Sequence, residues 1–370
     1  MAVGFPTKSN WSAGDILTAA QMDDLAGTVN LLQYSAFPIM AGKNAMINGS
    51  MDIWQRGTSV ALAASSTNIY TSDRWTTTTL TNQAVTVSRQ ATSDTTNLPN
   101  IQYCLRYQRN SGQTGTGGLY IAQSLETVNS IPFAGKQVTF SFYARAGANF
   151  SSASNILNTI VYSGTGTDQN RLAAAYTGDA NVATSNVTLT TTWQRFTLTG
   201  TVASTTTELA ASFGYSPTGT AGANDYYEVT GVQLELGSTA TTFSRAGGSI
   251  GGELALCQRY YWRVSASASA PYQNFTPTGF FNSSTTFEAV HRTPVTMRVA
   301  PTAIDNAGTI DARDNTGSQN TLGTGTIASS ESDGNNVRVN WTCTSATSGR
   351  TGNIRALNSS TAYIGFSAEL

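Results

Sequence analysis

The sequence predicts an all-β protein: a jelly-roll β-sandwich followed by a second C-terminal β domain, with a short N-terminal helical anchor segment. Three observations carry this. Ser and Thr fill about a quarter of the 370 residues, and Thr with 15 Tyr, 14 Phe and 6 Trp favours strands. The 34 Gly, with many Asn, favour turns. Several stretches alternate apolar and polar residues with period two, as half-buried strands do. Hydrophobic residues at 39% are enough to build cores. Only 11% of residues are charged, against about 25% in an average soluble protein. The predicted surface is polar but nearly uncharged.

The chain divides into four segments. In residues 1–45, Thr18 to Gln21 fits a capping box at a helix start. Met22, Leu25, Val29 and Leu32 then form one apolar stripe over about two heptads, too short to hold a coiled coil alone. The stripe packs on the chain's own body or on copies of itself. In residues 46–245 the alternation is clearest. Val138, Phe140 and Phe142 share one face, and Val232, Leu234 and Leu236 point inward with Gln233 and Glu235 outward. About eight to ten short strands at this spacing read as a β-sandwich. Residues 246–262 read as a Gly-rich linker and a short helix from Glu253 to Tyr261. Residues 263–370 are β again, with turn signals at Asp305–Gly308, Asp314–Gly317 and Asp333–Gly334.

Composition excludes several functions. A net charge of −1 lacks the basic footprint of a nucleic-acid binder. No apolar run approaches the roughly 18 residues of a membrane span. Residues 1–8 lack the basic-then-apolar pattern of a secretory signal. Cys104, Cys257 and Cys343 are an odd, widely spaced set, which argues against a disulfide framework or a zinc site and for a reducing cytosol. His291 is the single histidine, so two-His metal sites are impossible and His-based catalysis is disfavoured.

Candidate chemistry is sparse. Gly247-Gly248-Ser249-Ile250-Gly251 matches a nucleophile-elbow pattern, but no parallel α/β pattern surrounds it, and it reads as a glycine hinge. Asp225 with Glu228, and Asp311 with Asp314, are spaced for paired carboxylates, yet read as solvated turn acids. Asp52 and Glu235 lie near the first and last strands of the sandwich. They read as solvated or salt-bridged acids, with a shared structural calcium as the alternative. No cofactor loop occurs. His291 reads as structural. Trp75, Tyr143 and Trp193 read as core aromatics, as most aromatics of a β-sandwich are, with stacking on sugars as the alternative.

Several segments resemble phage virion proteins of the tail-fibre and receptor-binding type. Residues 46–57 (MINGSMDIWQRG) look like the opening strand of their carbohydrate-binding-module-like jelly roll, followed by Tyr70-Thr-Ser-Asp-Arg-Trp75. Residues 133–145, 190–196 and 229–245 are similar to its later strands, and 253–261 to the stretch that follows it. Residues 10–22 resemble fibre start regions and 293–302 resemble terminal domains. The resemblance implies a non-enzymatic virion structural protein, assembled in the bacterial cytoplasm. A short homotrimeric tail fibre is the leading form, joined to other virion proteins through residues 1–45, with residues 263–370 as a distal β domain and the best candidate for touching host surface glycans. A capsid decoration protein or head fibre is the alternative, and a glycan-active hydrolase a third. A surface of this kind is expected not to depend on ion pairs that salt screens.

Overall fold

A computed structural model describes residues 42–80 and 83–370. The stripe of Met22, Leu25, Val29 and Leu32 lies outside the described residues.

Twelve strands build the first body. They are β1 (Ser59–Leu62), β2 (Ile69–Tyr70), β3 (Thr76–Thr79), β4 (Val85–Ala91), β5 (Tyr103–Arg109), β6 (Leu119–Ser124), β7 (Gln137–Ala146), β8 (Ile156–Gly164), β9 (Ala180–Thr188), β10 (Gln194–Thr201), β11 (Glu208–Tyr215) and β12 (Tyr226–Leu236). A four-residue helix, α1 (Thr127–Ser130), lies between β6 and β7. The strands form two six-stranded antiparallel sheets, in the orders β1-β4-β5-β12-β7-β10 and β2-β3-β6-β11-β8-β9. Residues of alternate parity from both sheets meet between them. Phe140, Phe142, Phe213, Trp75, Tyr107 and Tyr227 are all wholly buried there.

The expected alternation holds through β7 and β12, with one interruption. The register of β12 against β7 shifts between Thr230 and Gln233. Gly231 sits at that bulge with φ +59°, and a Cβ there would lie 2.9 Å from Ile101 and Tyr143. Glycine is what lets the chain insert the extra residue. Val229 and Val232 therefore both face the core. Gln233 and Glu235 point away from it as expected, but they are buried as well. The segment after the strand folds over them: Thr241 and Ser244 donate backbone N–H bonds to Glu235 and Gln233. Leu236, expected inward, is half exposed at the strand's end.

The connector is packed rather than open. Helix α2 (Ile250–Gln258) begins three residues before the expected Glu253. A Cβ at Gly247 would lie 2.3 Å from the Glu253 nitrogen, and one at Gly252 2.2 Å from the Gly247 oxygen. The glycines thus allow the helix start to fold back on its own loop. Cys257 and Tyr260 are buried against Ile47 and Ala246.

The second body comprises β13 (Tyr261–Ser265), β14 (Asn274–Ser283), β15 (Thr286–Arg292), β16 (Ala303–Ala307), β17 (Ile310–Asp314), β18 (Gln319–Thr321), β19 (Gly325–Ile327), β20 (Asn336–Thr342), β21 (Thr351–Ala356) and β22 (Tyr363–Ser367). A three-stranded sheet, β13-β22-β16, packs on a seven-stranded one, β18-β17-β21-β14-β15-β20-β19. Trp341, Phe281, Phe287, Ile364 and Phe366 centre its core.

Side chains tie the two bodies together. Arg74, almost wholly buried, pairs with Glu369 and lies 3.5 Å over the Tyr260 ring. Arg56 lies 3.5 Å over Tyr261 and 3.3 Å from Glu369. Arg259 grips both Glu126 oxygens at 3.0 and 2.9 Å.

Low charge therefore does not mean independence from ion pairs. Many of the acids are buried and paired with arginines that are themselves partly exposed, so salt screens these pairs less than pairs on an open surface. The expected turn acids belong to this set: Asp225 pairs with Arg109, Glu228 with Arg106 and Arg145, Asp311 with Arg355, and Asp314 with Arg350. All four acids are buried, so none is a solvated turn acid.

Candidate functional site

The site grows from a segment with no regular structure. In Asn44 to Trp54 the backbone is held by side chains instead of a strand ladder. Asn48, buried with φ +57°, donates through Nδ2 to Ile53 O at 2.8 Å and accepts from Ile53 N–H at 2.9 Å. The Asn48 backbone N–H donates to the Glu253 carboxylate, which also accepts from Gly247 N–H at 2.7 Å. Burial pushes the Glu253 carboxyl above its ordinary value, opposed by these two donors. This network fixes the segment against α2 and places Asp52 and Ile53 at the mouth of a cleft.

The cleft has a volume of about 900 Å³ and runs between the sandwich and the connector. Its walls are Asp52 and Ile53, the 99–103 loop with Tyr103, Phe243 to Arg245, and Gly248 with Ile250. Asp52 Oδ2 accepts from Arg245 Nε at 2.9 Å and Ser50 Oγ at 2.6 Å, while Oδ1 accepts no hydrogen bond among the described residues. Arg89 donates to Asp52 O at 3.1 Å and lies 4.4 Å over the Tyr103 ring. Tyr103 and Phe243 are half-buried, and Asn100 and Gln102 are exposed at the rim. Their amide side chains form no hydrogen bond among the described residues. Phe243 also packs on Leu98, Ile101, Cys104 and Trp193, so the cleft floor rests on a small apolar cluster.

The residues singled out from sequence fare differently. Trp75 is wholly buried, stacked on Phe213 at 6.2 Å, and is a core residue rather than a sugar contact. Its neighbours Thr76 to Thr79 are buried too, so their polar run hid an interior strand. Trp193 is 5% exposed, with Nε1 donating to Thr92 O at 3.1 Å and Arg145 lying 4.7 Å over its ring. It too is withdrawn from solvent. Tyr143 is half-buried in the same cluster. Asp52 and Glu235 each have their own partners: Arg245 for one, and Thr241, Gln233 and Lys43 for the other. Among the described residues no group of three or more His, Cys, Asp or Glu side chains is placed to hold a metal ion.

Ser249 is the N-cap of α2, its Oγ accepting from Gly252 N–H at 3.1 Å. His291 is buried between Trp341 and Phe366 in the other core, with neither ring nitrogen bonded. The nucleophile-elbow motif is thus a helix cap. The three cysteines are buried and free.

Sequence reading missed Tyr103, Phe243 and Arg245. Tyr103 lies far from Phe243 and Arg245 in sequence, and only the fold brings them to one cleft.

No family model and no curated protein matches the sequence. Among solved structures the chain is similar to a CBM4 structure at 21% identity and TM-score 0.26, covering 36% of this chain and 71% of that one. It is also similar to the enzymatically active domain of bacteriophage CBA120 tailspike protein 4, at 14% identity and TM-score 0.32. There the match covers 52% of this chain but only 21% of that one. A third is the family 11 carbohydrate-binding module from Clostridium thermocellum in complex with a β-1,3-1,4-mixed-linked tetrasaccharide, at 12% identity and TM-score 0.29, covering 50% and 98%.

Proposed function

We propose that the chain is a non-enzymatic phage virion protein, a short trimeric tail fibre or receptor-binding protein. In this reading it attaches through residues 1–45 and contacts host-surface glycans. The cleft carries the glycan part. A sugar offers C–H faces to aromatic rings and hydroxyls to planar polar groups. Tyr103 and Phe243 supply rings; Asn100, Gln102 and the open Oδ1 of Asp52 supply donors and acceptors. The resemblance of residues 46–57, 133–145 and 229–245 to virion jelly rolls supports the virion part.

A binding role without turnover is supported by the cleft's content. Among the described residues Asp52 is the one carboxylate in its lining, whereas glycoside hydrolysis uses two, about 5–10 Å apart.

The test uses the full chain with purified host envelope polysaccharide. The proposal expects saturable binding, no new reducing ends, and a solution mass near three times 38.9 kDa. New reducing ends overturn the non-enzymatic reading, and a clean monomer overturns the trimeric fibre.

A further inference from the structure

In this protein nearly every described arginine is engaged by a carboxylate, a carbonyl, a hydroxyl or an aromatic ring. Arg292 and Arg313 are not: neither guanidinium has a hydrogen bond, ion pair or ring contact among the described residues, and both are exposed, but only Arg292 lines a cleft. Arg292 ends β15, pointing away from the core that holds its neighbour His291. There it lines a cleft of about 520 Å³ with Trp262, Phe275, Thr278, Val290 and Asn336. Among the described residues no acid lines this cleft. Asp333, on the turn before β20, is occupied by the backbone N–H groups of Asn335 and Asn336, both at 2.7 Å.

The rest of the lining suits a saccharide. Trp262 is half-buried, and its ring is fixed by stacking on Phe366 at 5.8 Å with 12° between planes. Thr278 offers an exposed hydroxyl. The cleft continues into a second of about 350 Å³ that shares Thr278 and Val290 and is walled by the exposed Phe280. Arg338 in that second cleft is already paired with Glu288 and Glu331, so Arg292 is the uncompensated charge of the whole shelf.

We propose that this shelf on the second body is a binding site for an anionic saccharide, with Arg292 taking the carboxylate or phosphate and Trp262 lying against the sugar ring. A guanidinium without a partner beside a fixed aromatic ring is the complement of an acid group carried on a ring with a C–H face. The proposal rests on the glycan-binding reading for its class of ligand, but it places a separate site on a separate body from the Tyr103 cleft.

The experiment titrates the full chain with three probes: a hexamer of galacturonate, a neutral gluco-oligosaccharide of equal length, and inorganic phosphate. Arg292→Gln should weaken hexauronate binding about tenfold, the scale of losing one hydrogen-bonded charge. Tyr103→Ala should leave it unchanged. Binding of the uronate should also fall with added salt. If Tyr103→Ala abolishes hexauronate binding and Arg292→Gln does not, the glycan reading stands and this second site is overturned. If phosphate alone binds as tightly as the hexamer, the saccharide part is overturned. If light scattering shows self-association that Phe280→Ser and Arg292→Glu each dissolve, the shelf is an interface between copies and the proposal fails. No binding of any saccharide by the wild-type chain overturns both readings together.

Discussion

Arg109 in the sandwich and His291 in the second body are both at most 1% exposed, and their surroundings are opposite. Arg109 donates to Gln83 at 2.6 Å, Ser151 at 2.9 Å, Asp225 at 2.7 Å, and the carbonyls of Gln113, Gly115 and Gly219. Every donor of the guanidinium has an acceptor. His291 has none, and burial lowers its pKa to about 4. The first body buries a permanent charge by building its partners around it. The second buries a group that must stay neutral. A permanent charge with partners commits the fold to keeping all of them. A neutral base without partners makes stability depend on pH.

The largest expected effect breaks the first arrangement. Asp225→Ala leaves the Arg109 charge buried without its counter-ion and should cost about 3–5 kcal/mol, read by denaturant unfolding of the full chain. Asp225→Asn, which keeps an acceptor, should cost less.

The second prediction concerns the other body. His291 has an ordinary value of 6.5 and a folded value of about 4, so between these the unfolded chain binds the proton more readily. Its contribution does not vary above pH 6.5, and stability is lost as pH falls from 6.5 towards 4. At about 1.4 kcal/mol per unit the loss approaches ~3 kcal/mol. His291→Leu should flatten the midpoint over that window. An unchanged pH profile in the variant would contradict the assignment.

A smaller effect tests the connector between them. Ser249→Ala removes the cap of α2 and should lower stability by ~1 kcal/mol. It should leave glycan binding intact, since Ser249 lies outside the cleft lining. Loss of binding without loss of stability would mean that Ser249 meets the ligand.

What the sequence could tell followed the range of the interaction. The faces of Val138, Phe140 and Phe142 were legible because alternation is local, and the structure pairs Phe140 with Leu198 and Leu234, Phe142 with Phe196, and Val138 with Leu236. The bulge at Gly231 was not, since one glycine in a strand does not announce a register shift. The strand after Trp75 was not legible, because Thr76 to Thr79 carry no apolar alternation, while their hydroxyls in fact bond within the sheet and its turn, as Thr76 does to Ala122 O. Asp52 stood out as an acid, but its partner Arg245 lies 193 residues away. The cleft had the weakest signal of all. Its rings sit at the start of β5 and in the strap after β12, segments that meet only in the folded sandwich.

The central claim is that the cleft between sandwich and connector holds a sugar against Tyr103 and Phe243. Its most direct test is titration of host envelope oligosaccharide into the full chain and into Tyr103→Ala and Phe243→Ala, with the folded state of each checked by its unfolding midpoint. Each substitution should weaken binding about tenfold while the fold is retained, the scale of one lost ring contact. Equal affinity in all three folded proteins would place the sugar elsewhere and contradict the account.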